Sequence, residues 1–434
     1  MRRLDPSPLL PDLERLAGRL LEGVQPPPVA LVRQRLEPPV LADVEAAARE
    51  EVRRVMAGVR PRRVAVGAGS RGIANVGRIV HAGVDALREL GFDPFVVPAM
   101  GSHGAATAEG QARVLAGYGV DPGLVRATME TVVVGEVDGV PVHVDRNVAE
   151  AGAVFVVNRV KPHTSFRGPV ESGLAKMCAV GLGKQAGAQL MHSRGPAGLR
   201  DLIPAAASLL AERGLLLGGL AIVENQRDET ALVRGVPAAG VAGDAEAALL
   251  DEARRLMPRI PFDDLDVLVI ERIGKDVSGA GIDTNVVGRL RIIGQPEAEP
   301  NRVTAIVALD LTEASHGNAM GIGTADFTTA RLLAKVDFEV LYTNGLTAGV
   351  IGIQRVAIPC VMPSDLAAVC AAISSRGRDT DLRLAWIRDT LHTEVLGASP
   401  ALAEEARGRS DLEVLGEPAP MPFDAEGRLR PLPA

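Results

Sequence analysis

Short β-branched runs that stop in polar, glycine-bearing turns recur along this chain, and helical apolar spacing follows them. Arg63-Val64-Ala65-Val66-Gly67-Ala68 breaks into Gly69-Ser70-Arg71-Gly72 ahead of a helix over residues 75–90. Phe95-Val96-Val97-Pro98 ends in Ala99-Met100-Gly101-Ser102-His103-Gly104, with a helix from Thr107. Val154-Phe155-Val156-Val157 stops at Asn158-Arg159-Val160-Lys161-Pro162-His163. In the second half, Val267-Leu268-Val269-Ile270-Glu271 feeds a glycine loop over residues 274–285, and a strand over 305–309 ends in Asp310-Leu311-Thr312. Strands alternating with helices make this an α/β chain. Ligands of open α/β sheets bind just past the carboxyl ends of strands, so these turns are where function is expected.

At 434 residues the chain exceeds one ordinary core, which predicts two domains. Each is expected to be a mostly parallel sheet flanked by helices, with the active site in the cleft between them. The boundary is placed near 258–264, giving an N-terminal domain over 1–262 and a C-terminal domain over 263–434. Residues 1–40, with clusters at Pro26-Pro27-Pro28 and Pro38-Pro39, are expected to be an extended lead-in with one helix over 10–21. Residues 132–148 predict a hairpin turning at Asp138-Gly139, and later strands are expected at 340–343 and 356–361.

Composition narrows the function classes. Aromatic residues make up 3%, too few for a base-stacking platform, and the net charge of −7 argues against polyanion binding, so no nucleic-acid partner is expected. No apolar run reaches membrane-spanning length, and the start lacks the apolar core of a signal peptide, so a cytoplasmic location is expected. The three cysteines, Cys178, Cys360 and Cys370, have no CxxC spacing and imply neither a disulfide framework nor a zinc knuckle.

The chemistry concentrates in residues 155–195. Lys161, His163, Lys176 and His192 fall within one strand-loop-helix unit, and the turns before it add Arg71 and His103. Asp310, His316 and Asp326 occupy similar places in the second half, where capping and turn roles explain the aspartates equally well. His81 and His392 lie in helical patterns and are expected to be surface or packing residues. A G-x-S-x-G turn, an HExxH helix and a Walker lysine loop are absent from the sequence. Two histidines facing one substrate can exchange a proton from either side, and a third can ligate a metal. On these residues alone the chain is a metabolic enzyme with a His/Lys/Arg site and an unnamed reaction.

The same stretch resembles the cofactor-binding segment of the nickel-pincer-nucleotide-dependent lactate racemase family. That family has a proline-histidine pair, a glycine-rich loop, a lysine, and a histidine sixteen positions further on. Here Pro162-His163 opens the run, Lys176 stands in Ser172-Gly173-Leu174-Ala175-Lys176, and His192 is sixteen residues beyond it. The resemblance implies that Lys176 carries the cofactor, a pyridinium-3-thioamide-5-thiocarboxylate mononucleotide with nickel, and that His192 is the protein ligand to the metal. Gly101-Ser102-His103 fits the family's other catalytic histidine, and Gly69-Ser70-Arg71 fits its cofactor-binding arginine, with Ser70 beside it. Lys275 is a candidate cofactor or substrate contact in the second half.

The implied activity is racemisation or epimerisation of a 2-hydroxy carboxylate by reversible hydride transfer to the lysine-tethered nickel pincer nucleotide. His103 and His163 would be the alternating acid and base. The implied partners are the small-molecule substrate and the proteins that synthesise the cofactor. The family's aspartate three residues before the arginine is Ala68 here, and the His163–Lys176 spacing is longer than the family's. The substrate stays open between lactate, another 2-hydroxy acid and a sugar acid. Two further readings remain beside this one: a dehydratase or hydrolase using an ordinary divalent metal, and a non-catalytic cofactor-binding paralogue.

Overall fold

The computed structural model describes residues 5–70, 72–292, 294–297, 303–377 and 381–433. The chain divides into two compact units, one over Pro38–Met257 and the other joining Met1–Glu37 to Pro258–Ala434. Both are α/β, as the alternation predicts, with parallel-rich sheets flanked by helices.

The N-terminal residues are more than a lead-in. After the helix Leu10–Leu20 they form a strand, β1 (Val29–Gln34), whose partners come from the far end of the chain. The first 37 residues therefore belong with the second unit, although the sequence boundary grouped them with the first.

The Pro38–Met257 unit contains β2 (Arg63–Ala68), β3 (Asp93–Pro98), a separate hairpin of β4 (Thr131–Val137) and β5 (Val140–Asp145), β6 (Val154–Arg159), β7 (Leu216–Glu224) and β8 (Thr230–Pro237). Among the described residues its main sheet has the order β3-β2-β6-β7-β8. The first four strands are parallel and β8 is antiparallel to β7. Val64, Val66, Phe155 and Val157 are buried from these strands, which explains why the strands read as unbroken apolar runs. The helices Val44–Met56 and Val76–Glu89 pack on them through Ala48, Val52, Ile79, Val80 and Leu87. Asp43 starts the first helix by accepting the amides of Glu45 (3.1 Å) and Ala46 (2.9 Å).

The other unit adds β9 (Leu265–Ile270), β10 (Val303–Ala308), β11 (Phe327–Thr329), β12 (Cys360–Met362), β13 (Leu384–Ile387), β14 (Val395–Ala398) and β15 (Leu412–Ala419). Among the described residues its sheet runs β12-β11-β10-β9-β13-β14-β1-β15. The first five strands are parallel, and β14, β1 and β15 close it antiparallel.

Three local expectations are corrected here. Residues 340–343 lie in the helix Phe338–Thr347, because Asp337 caps its start by accepting the amides of Glu339 (3.1 Å) and Val340 (3.2 Å). The strand expected over 356–361 is confined to Cys360–Met362, since Val356 ends the helix Gly349–Arg355. His392 is on no helix; it stands in the turn after β13, held by Asp389. Among the described residues no helix is long and apolar enough to cross a membrane.

Candidate functional site

The parallel strands β2, β3, β6 and β7 end on one edge of their sheet, and the turns that follow are tied together by specific hydrogen bonds. Past β2, the Gly69 amide donates to the Val157 carbonyl at 3.1 Å, and a Cβ at Gly69 would collide with the Asn158 side chain. Glycine is needed there for close approach, not for backbone freedom. Ser70 comes next, and its Oγ lies 2.6 Å from Nδ1 of His103 in the turn past β3.

That second turn is held in an unusual conformation. Gly101 and Gly104 have φ of 60° and 64°, and Ala105 and Ala106 follow at 57° and 53°. Two successive alanines in the left-handed region cost of order 1–3 kcal/mol each and persist only where surroundings enforce them. The enforcing groups are visible. The Gly101 amide donates to the Gly181 carbonyl at 3.2 Å, and the buried Gln111 Nε2 donates to the carbonyls of Gly101 (2.8 Å) and His103 (3.3 Å). The His103 turn is thus fixed to the turn that follows Lys176.

Past β6, Asn158 Nδ2 donates to the Gly173 carbonyl at 3.1 Å, while Arg159 pairs with Glu224 at the end of β7. Glu224 also accepts the Ala74 amide at 2.7 Å, joining the β2 turn to β7. Lys161 and Ser172 exchange backbone hydrogen bonds of 2.9 and 3.2 Å, so the loop between them closes on itself. Glu171 organises that loop from inside. Its buried carboxylate accepts the amides of His163 (2.5 Å) and Gly168 (3.3 Å) and pairs with Arg254 at 2.8 Å. The His163 ring lies against Phe166 with centroids 4.5 Å apart, and its Nδ1 accepts the Ser165 amide at 3.1 Å. Neutral His163 therefore carries its proton on Nε2.

Lys176 ends the short helix Leu174–Lys176. Glu246 holds the start of that helix, its carboxylate accepting the amides of Ala175 (3.1 and 3.2 Å) and Ala242 (2.9 Å). Burial pushes the Glu246 carboxyl above its ordinary range, against the lowering effect of the amides of Ala242, Ala175 and Leu174. Lys176 is partly buried and runs directly into a π-helical turn, Met177–Gly181. Such turns recur at functional sites. A Cβ at Gly181 would sit 2.6 Å from the Ala99 carbonyl oxygen, so this glycine permits the contact with the His103 turn.

The helix Lys184–Ser193 carries His192, whose Nδ1 is 2.6 Å from the Ala188 carbonyl. A carbonyl only accepts, so Nδ1 bears the proton and the lone pair is on Nε2. That is the tautomer of a metal-ligating imidazole with its other nitrogen anchored. Among the described residues no group of three or more His, Cys, Asp or Glu side chains forms a protein-only metal cage.

Other sequence-based candidates have the following surroundings. Arg71 lies outside the described residues. Lys275 belongs to the other unit, where its Nζ donates to the Gly279 carbonyl at 2.7 Å. Asp310 pairs with Lys335 (2.9 Å) and Arg331 (3.5 Å), and Asp326 with Arg289 and Arg291, so both have structural roles. His316 ends the turn Glu313–Ser315 with φ 49°. Cys178 is fully buried, and burial with Glu246 nearby pushes its thiol far up, which makes it a core residue.

Sequence reasoning missed Lys184. It is 0% exposed, has φ 54°, and its Nζ reaches the Pro98 carbonyl (2.5 Å), Asp145 (2.8 Å) and Gln111 (3.2 Å). Burial pushes the ammonium below the ordinary lysine range, and Asp145 opposes that shift. Lys184 thus locks the end of β3, the end of β5 and the helix bearing His192 to one point. The sequence offered only a lysine among glycines, which reads as a solvated charge.

The architecture is that of a two-unit α/β protein, and a solved structure is similar to it in fold. The lactate racemase apoprotein from Thermoanaerobacterium thermosaccharolyticum is similar over 84% of this chain and 99% of its own, with a TM-score of 0.51 and 10% sequence identity. A protein from Thermotoga maritima is similar over 63% of this chain and 72% of its own, with a TM-score of 0.45 and 17% identity. At 10% identity the likeness to the racemase apoprotein is one of fold alone. No family model and no curated protein matches the sequence.

Proposed function

We propose that this chain is a racemase or epimerase of a 2-hydroxy carboxylate, working with a nickel pincer nucleotide tethered to Lys176. The observation that carries the reading is the Ser70–His103 hydrogen bond, in a turn bound through Gly101 and Gly181 to the turn after Lys176. The racemase-like fold and the sixteen-residue interval between Lys176 and His192 support it.

The residues fit the group. Lys176 offers a primary amine beside a π turn, and His192 offers Nε2 as its lone-pair nitrogen. When bound, a nickel pincer nucleotide supplies a hydride acceptor for the carbon next to the carboxylate. The protein's own task is then the hydroxyl proton. His103 takes or returns it at Nε2, because the Ser70 hydroxyl can either donate to Nδ1 or accept from it. A rotating hydroxyl serves both tautomers at little cost. His163 has a more restrictive partner: the Ser165 amide only donates. With the ring neutral in this arrangement, His163 is a hydrogen-bond donor at Nε2. To act as the base there its proton must move from Nε2 to Nδ1, which gives up the Ser165 bond.

The same Ser70–His103 contact favours a second reading, a hydrolase in which His103 draws the proton from Ser70. Incubating cofactor-loaded protein with single enantiomers of 2-hydroxy acids and aldonates separates the two. Inversion at carbon 2, abolished by Lys176→Ala, supports the racemase. Hydrolysis of activated esters without inversion, abolished by Ser70→Ala and indifferent to Lys176→Ala, overturns it.

A further inference from the structure

The unit that joins Met1–Glu37 to Pro258–Ala434 has its own arrangement of charged side chains past its strands, and the proposed reaction does not use it. β9 and β13 run parallel with Ile270 opposite Ile387. Their pairing continues beyond the strands, the Glu271 amide donating to the Ile387 carbonyl at 3.0 Å and the Arg272 amide to the Arg388 carbonyl at 3.1 Å. Strand alternation sends Glu271 and Arg388 to one face and Arg272 and Asp389 to the other. The first pair holds the C-terminal tail: Glu271 accepts the Leu432 amide (2.6 Å) and Arg388 donates to the Pro433 carbonyl (2.9 Å).

The second pair is arranged differently. The Asp389 side chain is 0% exposed. Its Oδ1 accepts the amides of Leu391 (3.0 Å) and His392 (2.9 Å) and also His392 Nδ1 (2.7 Å), while Oδ2 accepts Arg272 Nε (3.0 Å). A turn needs only the two amides. The other two donors are an imidazole and a guanidinium whose side chains remain 51% and 44% exposed. Among the described residues, His392 Nε2 and both terminal nitrogens of Arg272 have no protein partner. Thr390 Oγ1 accepts the Asp283 amide at 3.0 Å, which lays the 274–285 loop against the same turn.

We propose that Arg272 and His392, oriented by the buried Asp389, form an oxyanion-binding subsite for a phosphate monoester or a carboxylate. One carboxylate aims an imidazole and a guanidinium, and with the imidazole protonated both are suited to charge-assisted bonds with an oxyanion. The groups that set the charge of His392 are Asp389, which favours its protonated form, and Arg272 and Arg388, which oppose it. An anion bound between His392 and Arg272 offsets that opposition. The subsite stands independently of the Lys176 reading.

The test is a titration of the full-length, histidine-labelled protein near pH 6.5, following the His392 Cε1–H resonance by NMR. The resonance is assigned by its loss in His392→Gln. The ligands are inorganic phosphate, acetate and chloride at constant ionic strength. A saturable shift with phosphate or acetate but not chloride, weakened about tenfold in Arg272→Gln, is the expected result. Tighter phosphate binding identifies a phosphate monoester as the ligand, and tighter acetate binding a carboxylate. A shift that is absent, is equal with chloride, or is unchanged in a folded Arg272→Gln overturns the subsite. Should Arg272→Gln unfold, Arg272→Lys replaces it; this keeps the charge and removes the fork, and the same loss of affinity is expected.

Discussion

Ser70 Oγ lies 2.6 Å from His103 Nδ1, joining the turn after β2 to the turn after β3. The contact orients an imidazole without fixing its tautomer, because a hydroxyl can serve as donor or acceptor. Ser70→Ala is expected to lower kcat/KM about tenfold, the worth of one orienting hydrogen bond. Ser70 is only partly buried, so the thermal midpoint is expected to change little. The pH–rate profile separates this role from a structural one, since losing the hydroxyl displaces the limb set by His103. A full 10²–10⁴-fold loss belongs instead to His103→Ala.

The Lys184–Asp145 pair is the structural counterpart. Both side chains are 0% exposed and 2.8 Å apart. Removing one member strands the other charge, so Lys184→Met is expected to cost about 3–5 kcal/mol in urea denaturation. Lys184→Met combined with Asp145→Asn is expected to recover part of that loss. A single-variant cost below about 1 kcal/mol contradicts the pairing.

The alternation of strands and glycine turns was readable because parallel strands are buried on both faces and must be continuous apolar runs. That made β2, β3, β6, β9 and β10 legible, and with them the turns carrying Ser70, His103 and His163. β1 was not, because Val29-Ala30-Leu31-Val32 stands between proline clusters and pairs with residues 395–398 and 412–419. Nothing local announces such partners. Residues 340–343 look like a strand by composition, and the cap from Asp337 decides for helix. Lys184 was missed and His392 misplaced for one reason: each depends on a buried aspartate that no spacing rule connects to it.

Thiol chemistry checks the burial pattern. Cys360 is exposed, whereas Cys178 and Cys370 are buried and burial pushes both thiols up. Ellman's reagent is expected to modify one thiol in the native protein and three in denaturant. Prompt native modification of Cys178 contradicts the packing around the Lys176 segment.

His392 links stability to pH. Its hydrogen bond to Asp389 raises its folded pKa above the unfolded value of about 6.5. The contribution is therefore fully present below that unfolded value and lost as pH rises through the folded one. Burial pushes the Asp389 carboxyl up, but the bonds from His392 and Arg272 outweigh it and leave the group below its ordinary range, so its contribution is lost only as pH falls through that lowered value. The urea midpoint of wild type relative to His392→Gln is expected to fall between pH 5.5 and 8.5, modestly because His392 is half exposed. A difference that is flat across this range contradicts the ion pair.

The proposed racemase chemistry requires a cofactor tethered at Lys176 with His192 as the nickel ligand. Intact-mass and peptide mass spectrometry, with metal analysis, of protein co-expressed with the cofactor-synthesis proteins tests it most directly. The expected result is a pincer-nucleotide adduct on Lys176 with about one nickel per chain, the adduct lost in Lys176→Ala and the nickel lost in His192→Ala. An unmodified Lys176 under conditions that load an authentic lactate racemase, or nickel retained in His192→Ala, contradicts it.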